Sequence, residues 1–133
     1  MKEYTELLKK LNLKAKSKGD IPVSALIIKD NKIISKGSNN KYDKCNPLGH
    51  AEINAIISAC KKLKRTNLID CTLLVTLKPC KMCVGLINEV RIKKVYYILD
   101  NFKEINENIQ FTKLDDENNY FQNELVEFFR DKR

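Results

Sequence analysis

His50 is the only histidine among the 133 residues, and it stands in the tripeptide His50-Ala51-Glu52. Thirty residues further on, Pro79-Cys80-Lys81-Met82-Cys83 supplies two thiols. One imidazole and two thiols are donors that zinc favours, and three protein ligands leave one of its four positions open to water, as in catalytic rather than structural sites. Water held there ionises near neutral pH and becomes a nucleophile. Glu52, two residues beyond His50, falls in the same helical turn, where a carboxylate exchanges protons with that water without ligating the metal. Two other readings use the same residues. Cys80 and Cys83 form a Cys-x-x-Cys pair of the redox type, which leaves His50 and Glu52 without a role. A closed structural zinc site needs a fourth donor, for which Cys45 is the candidate.

Elements that place these residues together can be read from the pattern. Tyr4, Leu7, Leu8, Leu11 and Ala15 recur at helical spacing, and Gly19-Asp20 ends that first helix. Val23 to Lys29 and Lys32 to Gly37 are extended runs around Asp30-Asn31, a hairpin. Residues 38–49 are polar and read as a loop. A helix then begins at His50 and closes in Lys61-Lys62-Leu63-Lys64-Arg65, cations suited to the negative end of the dipole. Cys71 to Leu77 is a continuous apolar run, the pattern of a strand buried on both faces. Pro79 precedes a short helix carrying both thiols, since proline is tolerated at a helix start. Val95 to Leu99 is a further strand, Ile109 to Leu114 an edge strand, and a last helix runs from about Asp116 to Arg130. Strand–helix–strand crossovers imply parallel pairing in the second half. Both helix starts, near His50 and near Cys80, then meet at one edge of a mixed sheet, where the positive end of the dipole favours thiolates.

The bulk numbers fit one soluble domain spanning 1–133: hydrophobic residues are 43% and charged residues 32%. No apolar run approaches the ~18 residues of a membrane span, and no secretory signal is visible at the start, so a cytoplasmic location is expected. The five cysteines are odd in number and lack framework spacing; Cys60 and Cys71 read as small core residues, and Cys45 stays open. The net charge of +8 is uneven. Residues 1–100 hold 20 basic and 9 acidic side chains, residues 101–133 hold 5 and 8. A basic body attracts polyanions such as nucleic acid, although a lysine-rich genome composition yields the same excess.

His-x-Glu joined to Pro-Cys-x-x-Cys is the signature of zinc nucleobase deaminases. The chain resembles the cytidine deaminase superfamily, and within it the bacterial tRNA-specific adenosine deaminases that convert wobble adenosine 34 to inosine. The resemblance runs through Asp20-Ile21-Pro22-Val23-Ser24-Ala25, Gly37-Ser38-Asn39, Asn46-Pro47-Leu48-Gly49-His50-Ala51-Glu52, Leu77-Lys78-Pro79-Cys80-Lys81-Met82-Cys83 and Phe128-Phe129-Arg130. It implies a three-layer α/β/α cytidine deaminase-like fold with a mixed five-stranded sheet, and a homodimer. One Zn2+ per subunit is implied, on His50, Cys80 and Cys83 at the N-termini of two helices, with Glu52 as proton shuttle. By the same resemblance Asn39 hydrogen-bonds the target base, backbone N–H groups at Ala51 and Cys80 orient water or substrate, and Val23, Pro79 and Asn101 join the substrate-binding set. Asn39 read without the family is equally a turn residue. The implied partner is a tRNA anticodon stem-loop.

The chain departs from that pattern at several places. Lys78 stands where the family has Glu, Asn46 where it has Asp, and Leu48-Gly49 where it has Thr-Ala. The segment after Asn101 is shorter than the family's nucleic-acid-binding loop. Two other functions therefore stand beside RNA editing. One is a metabolic deaminase of a free base, nucleoside or nucleotide of the cytosine, guanine or cytidine type; the other is a catalytically silent zinc-binding subunit, against which an intact Glu52 argues. Tyr120, Phe121, Phe128 and Phe129 either stack on bases or pack a helix.

Overall fold

A computed structural model describes residues 2–101 and 108–131. The polar stretch expected after Asn101 falls largely on 102–107, outside the described residues. The elements follow the expected order. They are α1 (Lys2–Ser17), β1 (Ser24–Lys29), β2 (Lys32–Ser38), α2 (Ala51–Leu63), β3 (Thr72–Leu77), α3 (Lys81–Glu89), β4 (Lys94–Leu99), β5 (Gln110–Lys113) and α4 (Tyr120–Asp131).

The five strands form one mixed sheet in the order β2-β1-β3-β4-β5. β1 pairs antiparallel with β2 and β3, whereas β3, β4 and β5 run parallel. Asp30 and Asn31 both take positive φ, 52° and 63°, the backbone that a two-residue hairpin turn demands and that Asp and Asn tolerate. Alternation along the central strands builds two cores. Ala25, Ile27, Leu73, Val75 and Val95 pack against Ala55, Ile56 and Ala59 of α2 and Val84 and Ile87 of α3. Leu26, Leu74 and Ile98 face the other way, onto Leu8 and Leu11 of α1 and Phe121 of α4. The result is the three-layer arrangement, with α2 and α3 on one side of the sheet. Cys60 lies half-buried against the first core and Cys71 is buried within it, as their apolar neighbours led one to expect.

The last helix starts later than its pattern suggested. Asn118 and Asn119 take positive φ, which breaks the α-helix, and the Asp116 carboxylate caps α4 by accepting from the Phe121 and Gln122 N–H groups at 3.0 and 2.9 Å. Inside the chain, α4 is tied to α1 by a buried polar contact. Glu124 accepts from Asn12 Nδ2 at 2.8 Å and faces the Lys16 ammonium at 3.0 Å.

One close approach matters to the site. A Cβ at Gly37 of β2 would lie 2.4 Å from the Ala51 carbonyl oxygen and 2.6 Å from the Ala55 nitrogen, so only glycine lets β2 pass the first turn of α2. Ser35 Oγ donates to the Ala55 carbonyl at 2.6 Å along the same seam. Gly37→Ala is expected to destabilise the fold by about 2–3 kcal/mol, the range for overpacking, and to weaken zinc retention because α2 carries the site. Denaturant unfolding together with zinc content checks this; a variant as stable and as zinc-loaded as the wild type would contradict it.

Candidate metal centre and active site

Both helices that carry the site begin at a candidate ligand. His50 is the N-cap of α2 and Cys80 the N-cap of α3, each with extended backbone. Glu52 and Cys83 therefore lie in the first turns of their helices, one turn's reach from the caps. Asn54 N–H donates to the His50 carbonyl at 3.0 Å and Val84 N–H to the Cys80 carbonyl at 2.9 Å. The two positive helix ends converge on one spot.

His50 Nδ1 lies 3.5 Å from Cys83 Sγ and 4.0 Å from Cys80 Sγ, and the three donor atoms all fall within 4.8 Å of one another. Tetrahedral zinc with ordinary Zn–S and Zn–N bonds sets nitrogen and sulfur about 3.6 Å apart. The donor set thus matches zinc in both chemistry and spacing, with Nδ1 the ring nitrogen presented. Cys45, the candidate fourth donor, is exposed in the loop before α2 and outside this group. Among the described residues the cluster is three-membered.

Electrostatics at the site follow from burial. Glu52 is 4% exposed, and desolvation pushes its carboxyl up to about 7 against the opposing effects of hydrogen bonds from its own backbone and from Cys83. A carboxyl poised near neutrality both takes and gives protons; a dication beside it draws it back toward the charged form. Burial also holds the Cys83 thiol far above its ordinary value, with the Glu52 charge adding to the effect. Burial, and then the Lys41 ammonium, lower His50, so the imidazole is neutral and able to ligate at pH 7.

Above the cluster lies a cleft of about 280 Å³ whose walls include Val23, Asn39, His50, Glu52, Cys80 and Asn101. Two other expected substrate-binding residues are placed differently. Ala51 is buried, and its N–H donates to Asn39 Oδ1 at 2.8 Å at the first turn of α2. Pro79 is buried and does not reach the cleft wall; lacking an N–H, it serves α3 as the residue before its cap. Asn101 lines the cleft while its Nδ2 donates to the Lys78 carbonyl at 3.1 Å.

Six residues of the cleft wall, Asp20, Ile21, Lys41, Tyr42, Leu77 and Lys78, were not among the expected site residues. Asp20, read as the end of α1 and the start of the family-like entry to β1, is buried, and its two carboxylate oxygens accept from the Tyr42 and Asp43 N–H groups at 2.7 and 3.2 Å. It thereby folds the loop before α2 over the cleft, bringing Lys41 and Tyr42 into its wall. The one available signal was an isolated acid placed just before Ile21-Pro22.

The family model for the cytidine and deoxycytidylate deaminase zinc-binding region matches residues 1–99. The chain belongs to that family. Among curated proteins, it is 45% identical over 94 residues to a tRNA-specific adenosine deaminase of Rickettsia bellii (strain RML369-C), a match covering 69% of the chain and 64% of that protein. A solved structure from work on A-to-I editing by tRNA:A34 deaminases superposes with a TM-score of 0.72 at 30% identity, over 75% of this chain and 77% of that one. Guanine deaminase from Bacillus subtilis superposes at 0.65 and 39% identity, over 70% and 62%. The fold of the deaminase family and its zinc-binding region are therefore those of this chain. Among the described residues no helix is long and apolar enough to cross a membrane.

Proposed function

We propose that this chain is a zinc-dependent hydrolase that deaminates adenosine to inosine at the wobble position of a tRNA anticodon loop. The observation that carries the reading is buried Glu52 beside the His50, Cys80 and Cys83 donor group at the floor of a base-sized cleft. Similarity to the Rickettsia protein and to the tRNA:A34 deaminase structure supports the choice of base and of RNA. The net +11 of residues 1–100 supports a polyanionic partner.

Zinc held by His50, Cys80 and Cys83 supplies Lewis-acid activation of water for addition at C6 of the adenine ring. Glu52 would take one proton from the attacking water and pass it to the ring nitrogen, then take the second from the added hydroxyl and pass it to the leaving amine, so adenosine and water become inosine and ammonia. Asn39, whose Oδ1 is engaged by the Ala51 N–H, keeps its Nδ2 to donate to the base. Val23 contributes apolar wall and Asn101 holds the Lys78 backbone at the rim. We further propose that residues 1–133 act as one domain, in the cytoplasm, as a homodimer. Exposed apolar side chains at Ile57 of α2 and Met82 of α3, 45% and 40% accessible, support pairing through the helical layer.

A second reading is favoured by one observation, the likeness to guanine deaminase at 39% identity. Deamination rates with an anticodon stem-loop and with free guanine separate the two. We expect the stem-loop to be the better substrate by kcat/KM and its affinity to fall steeply with salt, which a neutral base does not show. Preferred turnover of guanine without salt dependence would overturn the RNA assignment.

A further inference from the structure

Two lysines line the cleft beside the donor residues, Lys41 from the loop before α2 and Lys78 from the loop before α3. Lys78 stands where the family pattern has Glu, so its charge reverses that of the position it occupies. Its backbone is fixed on both sides: its N–H donates to the Leu99 carbonyl at 2.9 Å and its carbonyl accepts from Asn101 at 3.1 Å. Its ammonium rests 5.3 Å from the Tyr97 ring centre and 5.0 Å from that of Phe111. Such contacts hold a cation in place without neutralising it.

Asp100, the carboxylate that feels Lys78, is hydrogen-bonded to Lys113. Among the described residues neither Lys41 nor Lys78 has an acidic partner within 4.0 Å. Among the described residues the acids in the cleft wall are Asp20 and Glu52. Asp20 is consumed by two backbone N–H groups, and Glu52 is buried beside the metal ligands. The positive ends of α2 and α3 add to the field. A free purine base has no negative group to answer these two cations. A nucleotide extruded from an RNA strand brings the phosphodiesters that flank it to the mouth of the pocket.

We infer that Lys41 and Lys78 form a phosphate clamp at the cleft mouth, pairing with the backbone phosphates on either side of the extruded base and selecting a nucleotide within RNA over a free base. The inference rests on the RNA reading above. The clamp positions the strand and reads no sequence.

Fluorescence anisotropy of the zinc-loaded protein with an anticodon stem-loop tests it, with zinc content of each variant as the control for folding. Lys78→Met keeps the aliphatic contact with the rings and removes the charge. It is expected to weaken binding about tenfold and to reduce the slope of log K against log salt by about 0.7, while Lys78→Arg restores both. Lys41→Met should act in the same direction. Neutral methylphosphonate linkages on both sides of the target adenosine should cost the wild type what the Lys41→Met/Lys78→Met double variant loses, and cost that double variant nothing more. Equal affinity and slope in wild type and the double Met variant overturn the clamp, as do additive losses from the lysine change and the neutral linkages. Lysine-dependent binding without inosine formation defeats the function and leaves the clamp standing; inosine formation with lysine-independent binding does the reverse.

Discussion

Glu52→Ala is expected to lower turnover by about a thousandfold, within the range for loss of a general acid–base group, while zinc stays at one ion per chain. Glu52 lies beside the donor atoms and is not one of them, so its removal leaves the metal's ligands in place. What goes is a buried carboxylate beside them, the proposed carrier between water, ring nitrogen and leaving amine. Glu52→Gln keeps the shape and loses the proton, so it should fail as completely as alanine. Single-turnover rates set beside metal content decide the matter. Turnover within a few fold of wild type in either variant would remove Glu52 from the reaction.

The second large effect is expected from the metal itself. His50 and Cys80 end the loops that precede α2 and α3, and Cys83 is fully buried, so zinc joins two helices otherwise held by packing on the sheet. Because binding free energy to a site absent from the unfolded chain is folding free energy, zinc at a thousandfold excess over its Kd adds about 4 kcal/mol. For a chain of this length that corresponds to roughly 15 °C in Tm. Chelation should therefore lower the melting temperature by that order and abolish activity, with zinc restoring both. Cys83→Ala should melt near the chelated wild type and should not respond to zinc. A melting temperature unmoved by chelation would show that these residues do not hold a metal.

Much of this site was legible before any coordinates because its chemistry is local. His50 and Glu52 share one helical turn, Cys80 and Cys83 another, and each pair follows a segment whose apolar pattern marks a strand or a loop leading to a helix start. The hairpin was equally plain, since Asp30-Asn31 is one of few dipeptides able to take two positive φ values. What escaped notice depends on contacts between segments far apart in sequence. Asp20 gives no sign that it will accept two N–H groups from residues 42 and 43. Asn39 resembles a base ligand by its position, yet half of its amide caps the Ala51 N–H across the seam that Gly37 opens. Lys78 reads as a departure from a motif, and the Tyr97 and Phe111 rings beneath it come from two neighbouring strands. The late start of α4 turns on the conformations of Asn118 and Asn119, which helical periodicity does not register.

The most direct test of deamination at this site is mass spectrometry of an anticodon stem-loop RNA bearing a wobble adenosine, after incubation with the zinc-loaded protein and, in parallel, with Glu52→Ala. We expect inosine at that position, a gain of about one mass unit as nitrogen and hydrogen give way to oxygen, with the wild type and none with the variant. Unchanged adenosine after incubation with folded, zinc-loaded wild type would contradict RNA adenosine deamination.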